Sequence, residues 1–415
     1  MGPWKDRARV IIVYLGTHKC CVLEVLIGEA EPQVLNFVLE ENPAGFESGM
    51  VTNLEAAAST LEKLLDRLLP NRGFQDLSVY VVLGNSKLNA YSFSSSQYFY
   101  SSPRILTSSE LRSVVSQTRS VATLPLSEII LQAIPESFLV NDISGIRNPL
   151  GLEARRLGVE LKIFTMNFDH FKNIARAFEL ADLEVQGYFP KTLTSSIAVL
   201  TEEEREEGVV LIDIADDVTH LVLWKNGCYS GSRALSQGGR SLTRKIAAEW
   251  GIDERDAEKV KERYGSLGVD PANGEELIPL IERQGRKTRQ ITRREFQEVF
   301  TRYCRTWMEE IFQETDKFVD EQRVYYPNYV FTGGSSSTDG FLEFAQRHFN
   351  KEGRIGLGRN IQAPPELLMD PAMAAAFGMM RWIMNDDRDQ KRLLAPHGIF
   401  EKTLASAKDW FFNYF

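Results

Sequence analysis

Residues 208–239 read GVVLIDIADDVTHLVLWKNGCYSGSRALSQGG, and this stretch decides the fold. Two apolar runs, 208–214 and 218–224, flank a short turn at Ala215-Asp216-Asp217, and a third strand is predicted near 228–235. Short β-branched and aliphatic runs bounded by turn residues mark strands. Gly238-Gly239 follows, then a helix from about 240 to 250 and a second helix carrying Ala257-Glu258 and Lys261. A hairpin that runs into Gly-Gly at a helix start suits close approach to a phosphate. Glycine removes the Cβ, and the first N–H groups of the helix are free to face an anion. The same residues also suit an ordinary hairpin and glycine turn, so this segment alone leaves both readings open.

Two further stations extend the pattern. Tyr329-Val330-Phe331-Thr332 is an apolar strand ending in Gly333-Gly334-Ser335-Ser336-Ser337, with a helix expected from near Asp339. Near the start, Val10 to Leu15 forms a strand, Gly16-Thr17-His18-Lys19 a turn, and Cys20 to Ile27 a return strand. Two hairpins and a late Thr-Gly-Gly turn, in this order, resemble the nucleotide-gripping layout of the actin and sugar-kinase superfamily.

Other tracts narrow the resemblance. Ile134-Pro135-Glu136-Ser137-Phe138 through Asp142, Gly145-Ile146-Arg147-Asn148-Pro149 through Leu152, Gly238-Gly239-Arg240-Ser241-Leu242-Thr243, and Ala257-Glu258-Lys259-Val260-Lys261 all resemble the bacterial cell-division family FtsA. So do Gly285-Arg286-Lys287, Ile291-Thr292-Arg293-Arg294 and Gly353-Arg354-Ile355-Gly356, and the likeness spans nearly the whole chain. It implies an α/β fold: two actin-like (ribonuclease-H-like) lobes, an FtsA-type inserted subdomain and a C-terminal amphipathic helix. The expected organisation is first-lobe core at 1–85, inserted subdomain at 86–162 and first-lobe core again at 163–205. The second lobe follows, with core at 206–250, outer subdomain at 251–325 and core again at 326–370. A closing helix at 371–384, a linker at 385–398 and a membrane-targeting helix at 399–415 complete it.

The resemblance also places a nucleotide site. Gly16, Thr17, His18, Lys19, Asp213, Gly238, Gly239, Thr243, Glu258, Lys261, Gly333, Gly334 and Ser335 stand where the family grips ATP, with Mg²⁺ expected only where ATP binds. Plainer readings of some of these are helix caps and a surface i,i+3 pair between Glu258 and Lys261. Three departures speak against hydrolysis. Tyr14 stands where the first hairpin carries a carboxylate, Phe189-Pro190 replaces Glu-Pro, and the second turn holds Asp216 and Asp217 instead of glycines. Asp tolerates the turn geometry. A carboxylate about 5 Å from a phosphate oxygen, however, costs roughly 3 kcal/mol at an effective dielectric of 20 unless a cation intervenes. A rival reading has the Asp pair recruit that cation. No catalytic residue is assigned.

Bulk properties fit this picture. At 415 residues the chain exceeds one comfortable core. A net charge of −9 argues against nucleic acid as a partner. Cys20, Cys21, Cys228 and Cys304 lack metal or redox spacing, and no metal site is expected. No run of 18 apolar residues exists to span a bilayer. The polar stretch 385–398 reads as a linker. Beyond it, Phe400, Leu404, Ala407, Phe411 and Phe415 form one helical stripe, with Trp410, Phe412 and Tyr414 beside it. That stripe suits a membrane-surface anchor, anionic or zwitterionic, or a helix docked on the protein's own core.

The resemblance therefore implies an adaptor on the cytoplasmic side of the bacterial inner membrane, at the division site. It implies partnership with FtsZ, self-association as an actin-like filament or dimer, and contact with other division proteins. FtsZ contact is expected on the long helix predicted at 292–322, where Trp307 stands at the position at which the family carries an arginine and Arg302 and Arg305 are nearby substitutes. A pilus-assembly adaptor of the PilM type, or an ATPase or sugar kinase of the same superfamily, are the alternatives.

Overall fold

The computed structural model describes residues 8–28, 30–70, 77–268, 274–281, 288–325 and 327–390. Two five-stranded sheets organise it. The first has the order Val185–Pro190, Ser78–Leu83, Ala8–Leu15, Lys19–Ile27, Gln33–Glu41. The second has the order Gly353–Ile355, Asn328–Thr332, Val209–Ile214, Thr219–Lys225, Cys228–Leu235. In both, the central strand pairs antiparallel with its hairpin partner on one side and parallel with a later strand on the other. The two lobes are therefore copies of one topology, although no internal repeat is visible in the sequence.

Each lobe buries its sheet under helices whose apolar residues recur at helical spacing. On the first, Leu61, Leu64, Leu65 and Leu68 of helix Leu54–Leu68 and Ile174 and Phe178 of helix Phe168–Leu180 pack on Ile11, Val13, Val79 and Val81. Full burial of such a side chain contributes about 1.5–3 kcal/mol. On the second, helices Gly239–Trp250 and Arg293–Glu321 cover Val210, Ile212, Leu221 and Leu223. Helix Arg293–Glu321 is opened by a capping box between Thr292 and Glu295.

The facing sides of the two sheets meet in one shared core. It joins Val10, Ile12 and Val82 to Leu211, Val222 and Val330 through helices Lys191–Val199 and Ala374–Gln390. These two helices cross so closely that a Cβ on Gly378 would run into the backbone of Thr194. Between the strands Ser78–Leu83 and Val185–Pro190 the chain makes a separate four-stranded antiparallel sheet, ordered Ile143–Ile146, Glu128–Val140, Arg156–Asn167, Leu88–Tyr98. Helix Ser108–Val121 packs Leu111 and Val114 against its Leu157 and Leu161.

Two local features stand out. The acidic run 201–207, which by composition alone reads as a solvated charge run, forms a capped helix, Glu202–Glu207, and it is only partly solvated. Glu204 receives Arg354 through Nε and Nη2 at 2.7 and 2.6 Å, and the Arg205 guanidinium lies over the Trp224 ring. The closing helix continues to Gln390, into the stretch read as linker, because Asn385 to Gln390 contains neither glycine nor proline to stop it. The rest of that linker and the whole amphipathic segment 399–415 lie outside the described residues. Among the described residues no helix is long and apolar enough to cross a membrane.

Candidate functional site

A cleft of about 550 Å³ opens between the lobes. The first hairpin brings Gly16, Thr17, His18 and Lys19 to one wall, and Gly333, Gly334 and Ser335 form part of its base. Helices Gly239–Trp250 and Glu254–Tyr264 supply Gly239, Glu258 and Lys261 on the other side. Residues spread over three distant parts of the sequence thus meet in one cavity. Gly333 requires its glycine: at φ +83° a Cβ would sit 2.5 Å from the Ile214 carbonyl and 2.6 Å from Asp213 Oδ1.

Thr243 and Gly238 lie behind the wall instead of on it. Thr243 is buried, bonded to Glu258, and accepts from Lys261 Nζ at 2.9 Å. Lys261 Nζ also lies 2.8 Å from Glu258 Oε2, so this pair is a half-enclosed part of the cleft and not a surface pair.

The Gly-Gly helix start departs from expectation. The N–H groups of Gly239 and Arg240 donate to the carbonyls of Ala215 and Asp216, each at 2.9 Å, and that of Ser241 to Gly238 at 3.1 Å. The 215–217 turn has docked onto the helix N-terminus and occupies the donors an anion would have used.

The two turn carboxylates are likewise occupied. Arg240 Nε lies 2.9 Å from Asp216 Oδ2 and 3.3 Å from Asp217 Oδ1. His18 Nδ1 stands 3.5 Å from Asp216 Oδ2 and 3.3 Å from Arg240 Nη2. The Ser48 hydroxyl donates to Asp217 Oδ2 at 2.7 Å, and the Asp217 N–H donates to Thr17 Oγ1 at 3.4 Å. Burial pushes the Asp216 carboxyl above its ordinary value, with Arg240 and His18 pulling it back. The cation that the Asp pair attracts is thus the chain's own Arg240, and the contacts bridge the two lobes.

Asp213 lies beneath the cleft, 1% exposed. Lys191, 2% exposed, sets its Nζ 2.6 Å from Asp213 Oδ1, and the Ser195 hydroxyl donates to Oδ2 at 2.9 Å. Burial alone would lower the Lys191 ammonium, but the Asp213 carboxylate and the Tyr14 hydroxyl together raise it above its ordinary value. Burial raises Tyr14, so it is a neutral phenol beside the ammonium. Next along the sheet, His220 is pushed down to about 4 by burial and then by Lys191. A divalent ion at this carboxylate would compete with groups already in place: Lys191 holds Oδ1 and Ser195 holds Oδ2, and about 4 Å from the fixed ammonium the ion meets roughly 8 kcal/mol of repulsion at an effective dielectric of 20. Among the described residues no three carboxylate, imidazole or thiol groups converge as a metal site.

Lys191 and Arg240 were missed as functional residues. Lys191 had a signal: it is the single charge in the helix Lys191–Val199, every residue of which is buried. On the long helix, Arg302 and Arg305 are exposed. Trp307, expected beside them at a partner surface, is 2% exposed and packs into the second-lobe core, because it falls on the opposite face of the helix.

Comparison with known proteins agrees with this architecture. Residues 210–378 match the family model for cell division protein FtsA, and residues 90–165 match the model for the SHS2 domain inserted in FtsA. The cell division protein FtsA of Escherichia coli (strain K12) is 27% identical over 97% of both chains. This chain is a divergent member of the FtsA family. The FtsA protein of Pseudomonas aeruginosa is 24% identical over 94% of this chain and 92% of its own. Among solved structures, one from the PilM-PilN type IV pilus biogenesis complex has a TM-score of 0.64 at 16% identity, covering 91% of this chain and 99% of its own. MreB5 of Spiroplasma citri bound to ADP has a TM-score of 0.53 at 12% identity, covering 92% and 98%. These likenesses carry the actin-like fold, and the family matches identify an FtsA-type cell-division protein.

Proposed function

We propose that this chain is a cell-division adaptor that holds FtsZ at the cytoplasmic face of the inner membrane. The observation that carries the reading is the end-to-end correspondence with FtsA proteins, inserted domain included. Membrane contact falls to residues 399–415, FtsZ contact to Arg302 and Arg305, and self-association and contact with other division proteins to the actin-like body.

The cleft is assigned to an adenine nucleotide. MreB5, of similar fold, is a protein bound to ADP, and a cavity of about 550 Å³ is of ligand size. Gly333, Gly334 and Ser335 would line the ligand from below, with Lys19 and Lys261 as nearby cations. Hydrolysis is assigned as weak or absent. Tyr14 offers no carboxylate, Phe189 is buried and apolar, and Asp213 is tied to Lys191. Phosphate release at the level of an efficient ATPase, abolished by Asp213→Ala, would overturn that assignment.

The adaptor reading is tested by co-sedimentation of the full chain with liposomes and FtsZ. FtsZ is expected in the liposome pellet only when this protein is present. FtsZ left in the supernatant, with the protein itself in the pellet, would sink the adaptor role.

A further inference from the structure

We propose that Lys191 is a built-in cation that takes the place of a divalent ion at Asp213, so that ligands enter this cleft without metal. The consequence for ligands rests on the cleft being a nucleotide site; the exclusion of metal does not.

Asp213 is the last but one residue of the central strand of the second lobe, and Lys191 opens the helix that leaves the first, so the ion pair joins the two halves beneath the cleft. Oδ1 faces the ammonium at 2.6 Å and Oδ2 accepts from Ser195 at 2.9 Å. Gly333 presses its backbone against the same carboxylate, leaving 2.6 Å between its Cβ position and Oδ1. Tyr14 sits over the ammonium from the first hairpin, with Nζ 6.0 Å from the ring centre. His220 faces the pair from the neighbouring strand, held neutral at ordinary pH, and adds no compensating charge. An ion arriving at Asp213 would have to displace a buried ammonium whose carboxylate partner, among the described residues, is Asp213 itself. A single positive charge in this position, fixed by the chain, can attract phosphate oxygens at the cleft floor as a metal would, although it offers no open coordination sites.

The test uses two independent readings on the full chain. First, a fluorescent ADP analogue is titrated in excess Mg²⁺ and in EDTA. Affinities within about twofold are expected, and a tenfold or greater loss in EDTA overturns the proposal. Second, nucleotide-free protein is titrated with Mn²⁺ and followed by electron paramagnetic resonance. This decides the matter even if the analogue binds under neither condition, an outcome that sinks only the nucleotide reading. Lys191→Met should take up one ion more than the wild type, and the double variant Lys191→Met, Asp213→Asn should not. A wild-type ion that disappears in Asp213→Asn overturns the proposal, as does a folded Lys191→Met protein that gains none. If Lys191→Met does not fold, the wild type against Asp213→Asn decides alone, and absence of an Asp213-dependent ion supports the built-in cation.

Discussion

His220 illustrates how far one buried side chain can set the response of this molecule to acid. Its folded value of about 4 lies below the ordinary 6.5, because burial and then Lys191 oppose the imidazolium. Between those values the unfolded chain binds a proton that the folded chain refuses, so this contribution is present above pH 6.5 and is lost as pH falls toward 4. The shift corresponds to on the order of 3 kcal/mol. Replacing His220 with Gln should flatten the decline in the urea midpoint over that window. A slope as steep as that of the wild type would show that other groups carry it. At this scale the sequence was only partly legible. The glycines of the three stations declare themselves by type and spacing, and Gly16, Gly239, Gly333 and Gly334 do meet at one cleft, with Gly238 just behind it. Lys191 and Asp213 stand 22 positions apart (213 − 191) on elements from different lobes, and nothing local says that one is the counter-ion of the other. Arg240 was visible inside a motif, yet its role depends on a turn folding back onto its own helix.

Elements were easier to anticipate because periodicity is local. The strand pairs at 10–27 and 208–224 and the long helix predicted at 292–322, found as Arg293–Glu321, follow from short apolar runs, helical spacing and a short-range cap. What escaped was the face each residue would take on the long helix Arg293–Glu321. Arg302 and Arg305 share its exposed side, where Arg302 Nη2 lies 3.5 Å from Glu249 and Arg305 Nη2 3.4 Å from His348. Exposed contacts of this kind contribute about 0–1 kcal/mol, so both guanidinium groups are available to an acidic peptide. Arg302→Ala with Arg305→Ala should lower affinity for an FtsZ peptide by about tenfold or more with fold stability unchanged. Unchanged affinity would move the partner surface elsewhere. The amphipathic segment 399–415 makes a separate prediction. Phe400, Leu404, Phe411 and Phe415 could each gain roughly 1.5–3 kcal/mol on insertion, whereas Glu401 and Asp409 offset Lys402 and Lys408. Phe411→Asp with Phe415→Asp should release the protein from liposomes, and binding by the intact protein should be nearly insensitive to salt. Strong loss at high salt would replace apolar insertion with lipid charge as the driving force.

On the scale of the whole molecule, the duplicated topology was invisible to sequence comparison of one half with the other. A sheet is specified by alternation and burial, and many unrelated residue sets satisfy both. The contacts between the two turns at the cleft also emerge only here. Arg240, Asp216, Asp217, His18 and Ser48 link the lobes across the place where two phosphate-binding turns would face each other. Arg240→Ala should release them, speeding amide exchange at 16–19 and 215–217 by on the order of tenfold, as expected for a charged contact worth about 1.5 kcal/mol. Exchange left at the wild-type rate would mean that the shared core alone holds the two turns together.

The crossing of Gly378 over Thr194 gives that core a mechanical meaning. Where two rods touch with no side chain between them, neither can slide without climbing the other's backbone, yet both can rock about the point of contact. The crossing therefore has the form of a fulcrum inside the shared core. A tilt of a few degrees at the fulcrum barely disturbs the shared core. The displacement from the same tilt grows with distance from the fulcrum, so it is felt most at the ends of the lobes.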